Sequence, residues 1–70
     1  MKDISKLKKG QKIRIIFTDD YMIEGTVHFI EEDEEYDYEW TVYLKLEGQE
    51  EGFFAHQSEI KDIVVLDQKV

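Results

Sequence analysis

The chain is expected to be all-β, a small five-stranded and strongly bent β-barrel, and three observations predict it. Apolar residues recur at every second position almost throughout, which is the period of a strand and not of a helix. Proline is absent, so every strand is free to pair along its length. With 70 residues the chain is too small for two packed sheets, and short strands joined by tight turns then favour closure into a barrel.

Residues 1–9 form a short basic arm, in which Asp3-Ile4-Ser5-Lys6-Leu7 offers one helical turn that needs packing to persist. Residues 10–67 make the single domain, and 68–70 are a tail. Gly10 opens QKIRIIF, which points Ile13, Ile15 and Phe17 one way and Arg14 and Ile16 the other. Thr18-Asp19-Asp20 is turn chemistry, because short acids accept hydrogen bonds from nearby backbone. YMIEGTVHFI then directs Ile23, Gly25, Val27 and Phe29 inward, with a glycine where a barrel strand bends sharply. The third run alternates from Tyr36 through Tyr38, Trp40, Val42 and Leu44 to Leu46. EGQEEG supplies a hairpin loop containing Gly48, and Gly52 is placed to bulge the next strand, GFFA. HQSEIK reads as one tight helical turn capped by Ser58, and DIVVL closes as the fifth strand.

Composition narrows the function classes. No cysteine is present, which removes disulfides, thiolate nucleophiles and zinc–sulfur sites and suits a reducing compartment. No apolar run approaches the roughly 20 residues of a membrane span, and MKDISKLKKG lacks the apolar segment of a signal peptide. A soluble cytoplasmic protein, complete from Met1 and without membrane contact, is expected. The net charge of −8 is uneven: residues 1–14 hold six basic residues against Asp3, a net of +5, and the rest carries −13. Such a balance disfavours phosphate backbones, since their neutralisation requires a basic surface.

GQKIRIIFTDDYMIEGTVHFI resembles the first sequence motif of the Sm-like family, a barrel related in shape to the Src-homology-3-like fold. Gly10, Ile13, Ile15, Phe17, Asp19, Gly25, Val27 and Ile30 fall at the motif positions, about a third of the chain, while Asp20 replaces the usual following glycine. The resemblance implies a nucleotide-holding pair at Glu31 and Glu35, where the family has an Asp and an Asn. The asparagine amide is thereby lost. FFAHQSEIK lacks the basic residue and glycine of the second motif, although His56 and Lys61 lie nearby. The resemblance also implies rings in which the fourth strand of one subunit pairs with the fifth of the next. GFFA and DIVVL would supply those edges, with Phe53, Phe54, Val64 and Leu66 as candidate self-association residues.

Several stretches carry candidate chemistry. EEDEEYDYEW, Glu31 to Trp40, holds seven carboxylates. It reads as a hydrated loop that guards against edge pairing, because adjacent acids alternate faces and cannot converge on a cation. Tyr36, Tyr38 and Trp40 share a face beside carboxylates and could receive a cationic group, as the aromatic cages of Tudor-like barrels do. Packing is the alternative, with Trp40 capping the core and the tyrosines at its rim. Phe29, Tyr43 and Phe54 are candidate stacking surfaces for nucleic acid. The candidate ligand surface is thus Phe29, Glu31, Glu35, Tyr36, Tyr38, Trp40 and His56. His28 and Glu24 share a strand face but stand roughly 13 Å apart, and no nucleophile–base set or metal trio can be read. No catalysis, cofactor or metal is expected. The expected partner is protein, including copies of the chain itself; an RNA-binding ring is the alternative that the charge disfavours.

Overall fold

The computed structural model describes residues 3–37 and 39–66, with Tyr36 by its backbone alone. Tyr38 and the 68–70 tail lie outside the described residues, as does the side chain of Tyr36. Five strands, β1 (Lys12–Phe17), β2 (Met22–Asp33), β3 (Glu39–Lys45), β4 (Phe53–His56) and β5 (Ile60–Val65), form one antiparallel sheet in the order β4-β3-β2-β1-β5. Three 3-10 turns accompany them: η1 (Ile4–Lys6), η2 (Glu34–Tyr36) and η3 (Gln57–Glu59).

A flat sheet in this order would hold β4 and β5 about 19 Å apart, four strand spacings. Only η3 joins them. Its four Cα steps reach about 14 Å fully extended and less in a 3-10 turn, so the sheet must curl. No pairing of β4 with β5 closes it, however, and the closed barrel expected from chain size is not formed by strand pairing among the described residues. Gly25 supplies part of the curl. A Cβ there would lie 2.9 Å from the Lys45 carbonyl oxygen, so only glycine lets β2 approach β3 this closely.

The concave face carries the core. Ile13, Ile15 and Phe17 of β1 are buried as their alternation predicts, and Val27, Val42, Leu44, Ala55, Ile60 and Ile63 join them. The basic arm is part of this core and does not hang from it. Ile4 and Leu7 are 1% and 4% exposed, and Asp3 caps η1 by accepting from the Ser5 N–H. Burial thus supplies the packing that so short a turn requires.

Four sequence expectations are corrected. Phe29 does not point inward: β2 pairs Val27 with Leu44 and then Phe29 with Tyr43, so His28 is an extra, bulged residue. That single insertion reverses the facing of the residues after it, sending Phe29 outward and Ile30 inward. The third strand begins at Glu39, not Tyr36, because η2 and a left-handed Asp37 (φ 56°) interrupt the alternation. The acid run is accordingly not all loop. Glu31 to Asp33 end β2, and the Asp33 carboxylate accepts from the Glu35 N–H at 3.0 Å to cap η2. Finally, η3 is capped by the His56 side chain, with Ser58 N–H as donor at 3.3 Å, so Ser58 is the capped residue and not the cap.

Candidate functional site

The bulge at His28 assembles an aromatic row on the outer face of the sheet. Phe29 of β2, Tyr43 of β3 and Phe54 of β4 are directly opposite one another in register. Phe29 and Tyr43 stack with ring centroids 5.1 Å apart and planes 10° from parallel. Tyr43 meets Phe54 at 4.5 Å, and Phe54 meets Phe29 edge-on at 6.2 Å. The His28 ring abuts both Phe29 and Tyr43, at 5.7 and 5.6 Å. Cross-strand aromatic pairs of this kind stabilise a sheet by roughly 0.2–1 kcal/mol each.

The row is open to solvent. Phe54 is 60% exposed and Phe29 40%, while Tyr43 at the centre is half-buried. The Tyr43 hydroxyl accepts from the Gly52 N–H at 3.0 Å, which fixes the ring in place. The row runs out to β4, one of the two edges of the sheet. At the other edge, β5 exposes Val64 (38%) and Leu66 follows it at 37%. Contiguous exposed apolar surface on a small protein usually marks a contact site.

The remaining candidate residues do not converge on this row. Glu31 is exposed and faces Thr41 across β2 and β3, and Glu35 lies in η2. Trp40 is half-buried and packs against the core, its backbone N–H donating to Gln57 Oε1 at 2.9 Å. His56 stands at the end of β4, its Nδ1 3.3 Å from Glu39 Oε2 and 2.8 Å from Ser58 Oγ. Phe53 and Phe54, grouped by sequence as one edge, fall on opposite faces because neighbouring strand residues alternate. Phe53 contacts Phe17 on the far side from Tyr43, and Tyr21 joins that second aromatic group.

Two cross-strand or cross-turn ion pairs involve basic side chains on the surface. Arg14 Nε meets Glu24 Oε2 at 2.7 Å across β1 and β2, and Lys61 Nζ meets Asp20 Oδ1 at 2.9 Å. The Asp20 hydrogen bond, reinforced by its charge, holds the Lys61 ammonium pKa above the ordinary lysine value. Among the described residues no group of three or more His, Asp or Glu side chains is arranged to hold a metal ion. No helix among them is long and apolar enough to cross a membrane.

The His28 bulge has no signal in the sequence, since period-two reading carries straight through it. Tyr21 has one: an aromatic residue immediately after an acidic turn and in step with the inward-facing Ile23. No family model matches this chain, and no curated protein or solved structure matches it either.

Proposed function

We propose that the protein is a non-enzymatic binding or assembly module, a Sm-like small barrel that works through protein–protein contacts, including contacts with its own copies. The observation that carries this reading is the exposed row Phe29–Tyr43–Phe54 ending on edge strand β4. An edge strand presents unpaired N–H and C=O groups that favour another strand beside it. Pairing β4 of one copy with β5 of the next would continue the sheet and bury Val64, Leu66 and the outer part of the row. The curl enforced by η3 and the bend at Gly25 support the barrel form of this reading. So does the small core, for which subunit contacts compensate.

Absolute mass by light scattering on a sizing column tests it, with absorbance recorded at nucleic-acid and protein wavelengths. A species of several subunits, reduced in mass by a charge at Val64, is the expected result. A monomer at every concentration, indifferent to Val64→Lys, would remove self-association.

One feature favours a second reading, an RNA-binding oligomeric ring. Stacked exposed aromatics are the platform on which single-stranded bases bind. The net charge of −8 opposes it. An RNA complex would weaken steeply with added salt as counterions are displaced, whereas a protein contact made through Phe54 would hold.

A further inference from the structure

We infer that the cleft between Phe17, Tyr21 and Phe53 binds a methylated ammonium group. The cleft is about 300 Å³ and is lined by these three rings with Thr18, Asp19 and Glu59. It lies where the β1–β2 turn, the start of β4 and η3 meet, and the Thr18 N–H donates to the Glu59 carbonyl at 3.0 Å to hold two of those segments together. Phe17, 7% exposed, forms its floor. Tyr21 lies 6.2 Å from it, 28° from parallel, and Phe53 lies 5.9 Å from it, edge-on. Tyr21 is 62% exposed and Phe53 37%, so both rings offer surface to a ligand.

Charge selects the ligand. The Asp19 carboxylate is held beside Tyr21 by accepting that residue's N–H at 3.1 Å. Lys61, the nearby cation, is already engaged by Asp20. Among the described residues neither Asp19 nor Glu59 forms an ion pair with a basic side chain. An anion is therefore repelled, and a neutral apolar ligand gains nothing from the two carboxylates. Metal ions prefer a converging oxygen set that ring carbons cannot provide. A bare ammonium is strongly hydrated and needs acceptors to replace that water. Methylation removes the donors and adds apolar area while keeping the charge, which is the combination that aromatic faces and nearby carboxylates attract. The volume lies at the lower limit of ligand pockets, matching a head group and not a large molecule.

This inference is independent of the assembly reading, since the cleft is on the opposite side of β4 from the Tyr43 row. The probes are choline, its uncharged isostere in which tert-butyl replaces trimethylammonium, and a short peptide carrying trimethyllysine or plain lysine. Binding is followed by ring and amide resonances in NMR titrations. Choline or the methylated peptide should shift Phe17, Tyr21 and Phe53 and leave Phe29 and Tyr43 unmoved. Response to choline alone indicates a small-molecule source, response to the methylated peptide alone a protein source, and either supports the site. Tyr21→Leu keeps apolar area but removes the π face, and should weaken binding roughly five- to thirtyfold. Glu59→Gln should weaken it further at low salt than at high salt. Equal binding of the uncharged isostere, or no response to either cation, would overturn the proposal.

Discussion

The Gly52 N–H donates to the Tyr43 hydroxyl across the β3–β4 hairpin at 3.0 Å, and the same glycine leaves room for the ring it holds. A Cβ on Gly52 would overlap the Tyr43 ring and stand 2.5 Å from the Leu44 carbonyl oxygen. Residue 52 therefore sets the position of the middle ring of the aromatic row without being part of it.

Two substitutions separate these roles. Gly52→Ala forces either the ring or the backbone to move, and should cost about 1–3 kcal/mol, the range for overpacking. Tyr43→Phe keeps the ring and loses only the hydrogen bond, for about 0.5–1.5 kcal/mol. Thermal unfolding reads both, since each 1 kcal/mol moves the midpoint by roughly 4–8 °C in a domain of this size. Gly52→Ala melting like the parent would show that the ring is not confined as described.

The row itself is only half legible in the sequence. Ile13, Ile15 and Phe17 are read correctly because period-two alternation reports directly on a strand with one buried face. That logic fails at His28, where one bulged residue shifts the parity and nothing in the residue types announces it. It fails again at Tyr36, where the turn capped by Asp33 competes with strand extension and wins because the Asp33 carboxylate accepts the Glu35 N–H. A cage of Tyr36, Tyr38 and Trp40 depends on unbroken alternation, and the described part of that stretch is broken at Asp37. Residue type alone marks Tyr43 and Phe54 as stacking surfaces, but their junction with Phe29 depends on the register of three strands.

Asp20 offers a test of backbone and charge together. Its φ of 68° is left-handed, a conformation that glycine adopts most easily. Asp tolerates this region and β-branched residues do not, so Asp20→Val should lose about 1–2 kcal/mol while Asp20→Asn folds nearly as the parent does. The parent and Asp20→Asn should differ in alkali. Asp20 raises the Lys61 pKa in the folded protein. The stabilisation from that pair is complete below the ordinary value of 10.5 and is lost as pH rises through the higher folded value. The pair is exposed on both sides, at 60% and 76%, so the effect is small. A denaturation series in alkali should show it in the parent and not in Asp20→Asn.

Assembly through the two edges makes a paired prediction. Phe54→Ser removes exposed area from the row and should lower the subunit count or weaken association, beyond the roughly 0.2–1 kcal/mol of sheet stability that each of its ring contacts contributes. Val64→Lys at the opposite edge should do the same, because a strand-to-strand contact requires both. Charged side chains on an edge oppose strand addition. Sedimentation velocity at matched concentrations reads both. If only one variant alters the mass, the edges do not pair with each other.

The basic arm separates core from contact most sharply. Leu7 is 4% exposed and Ile4 is 1%, so Leu7→Ala should cost about 2–5 kcal/mol, the usual range for emptying a core position. Total stability in a small domain is roughly 5–15 kcal/mol, and such a loss consumes much of it. Lys6, Lys8 and Lys9 are exposed between and beyond those anchors. Replacing all three by Gln should leave folding almost unchanged, yet weaken association at low salt if the arm meets the acidic stretch of a neighbouring copy. Screening over about 10 Å at ordinary ionic strength should erase that difference as salt is raised. Chemical denaturation and light scattering on the same samples decide between the two roles. A Lys triple variant that loses stability but keeps its mass would place the arm's charge in the fold, and a Leu7→Ala variant that melts with the parent would remove the arm from the core.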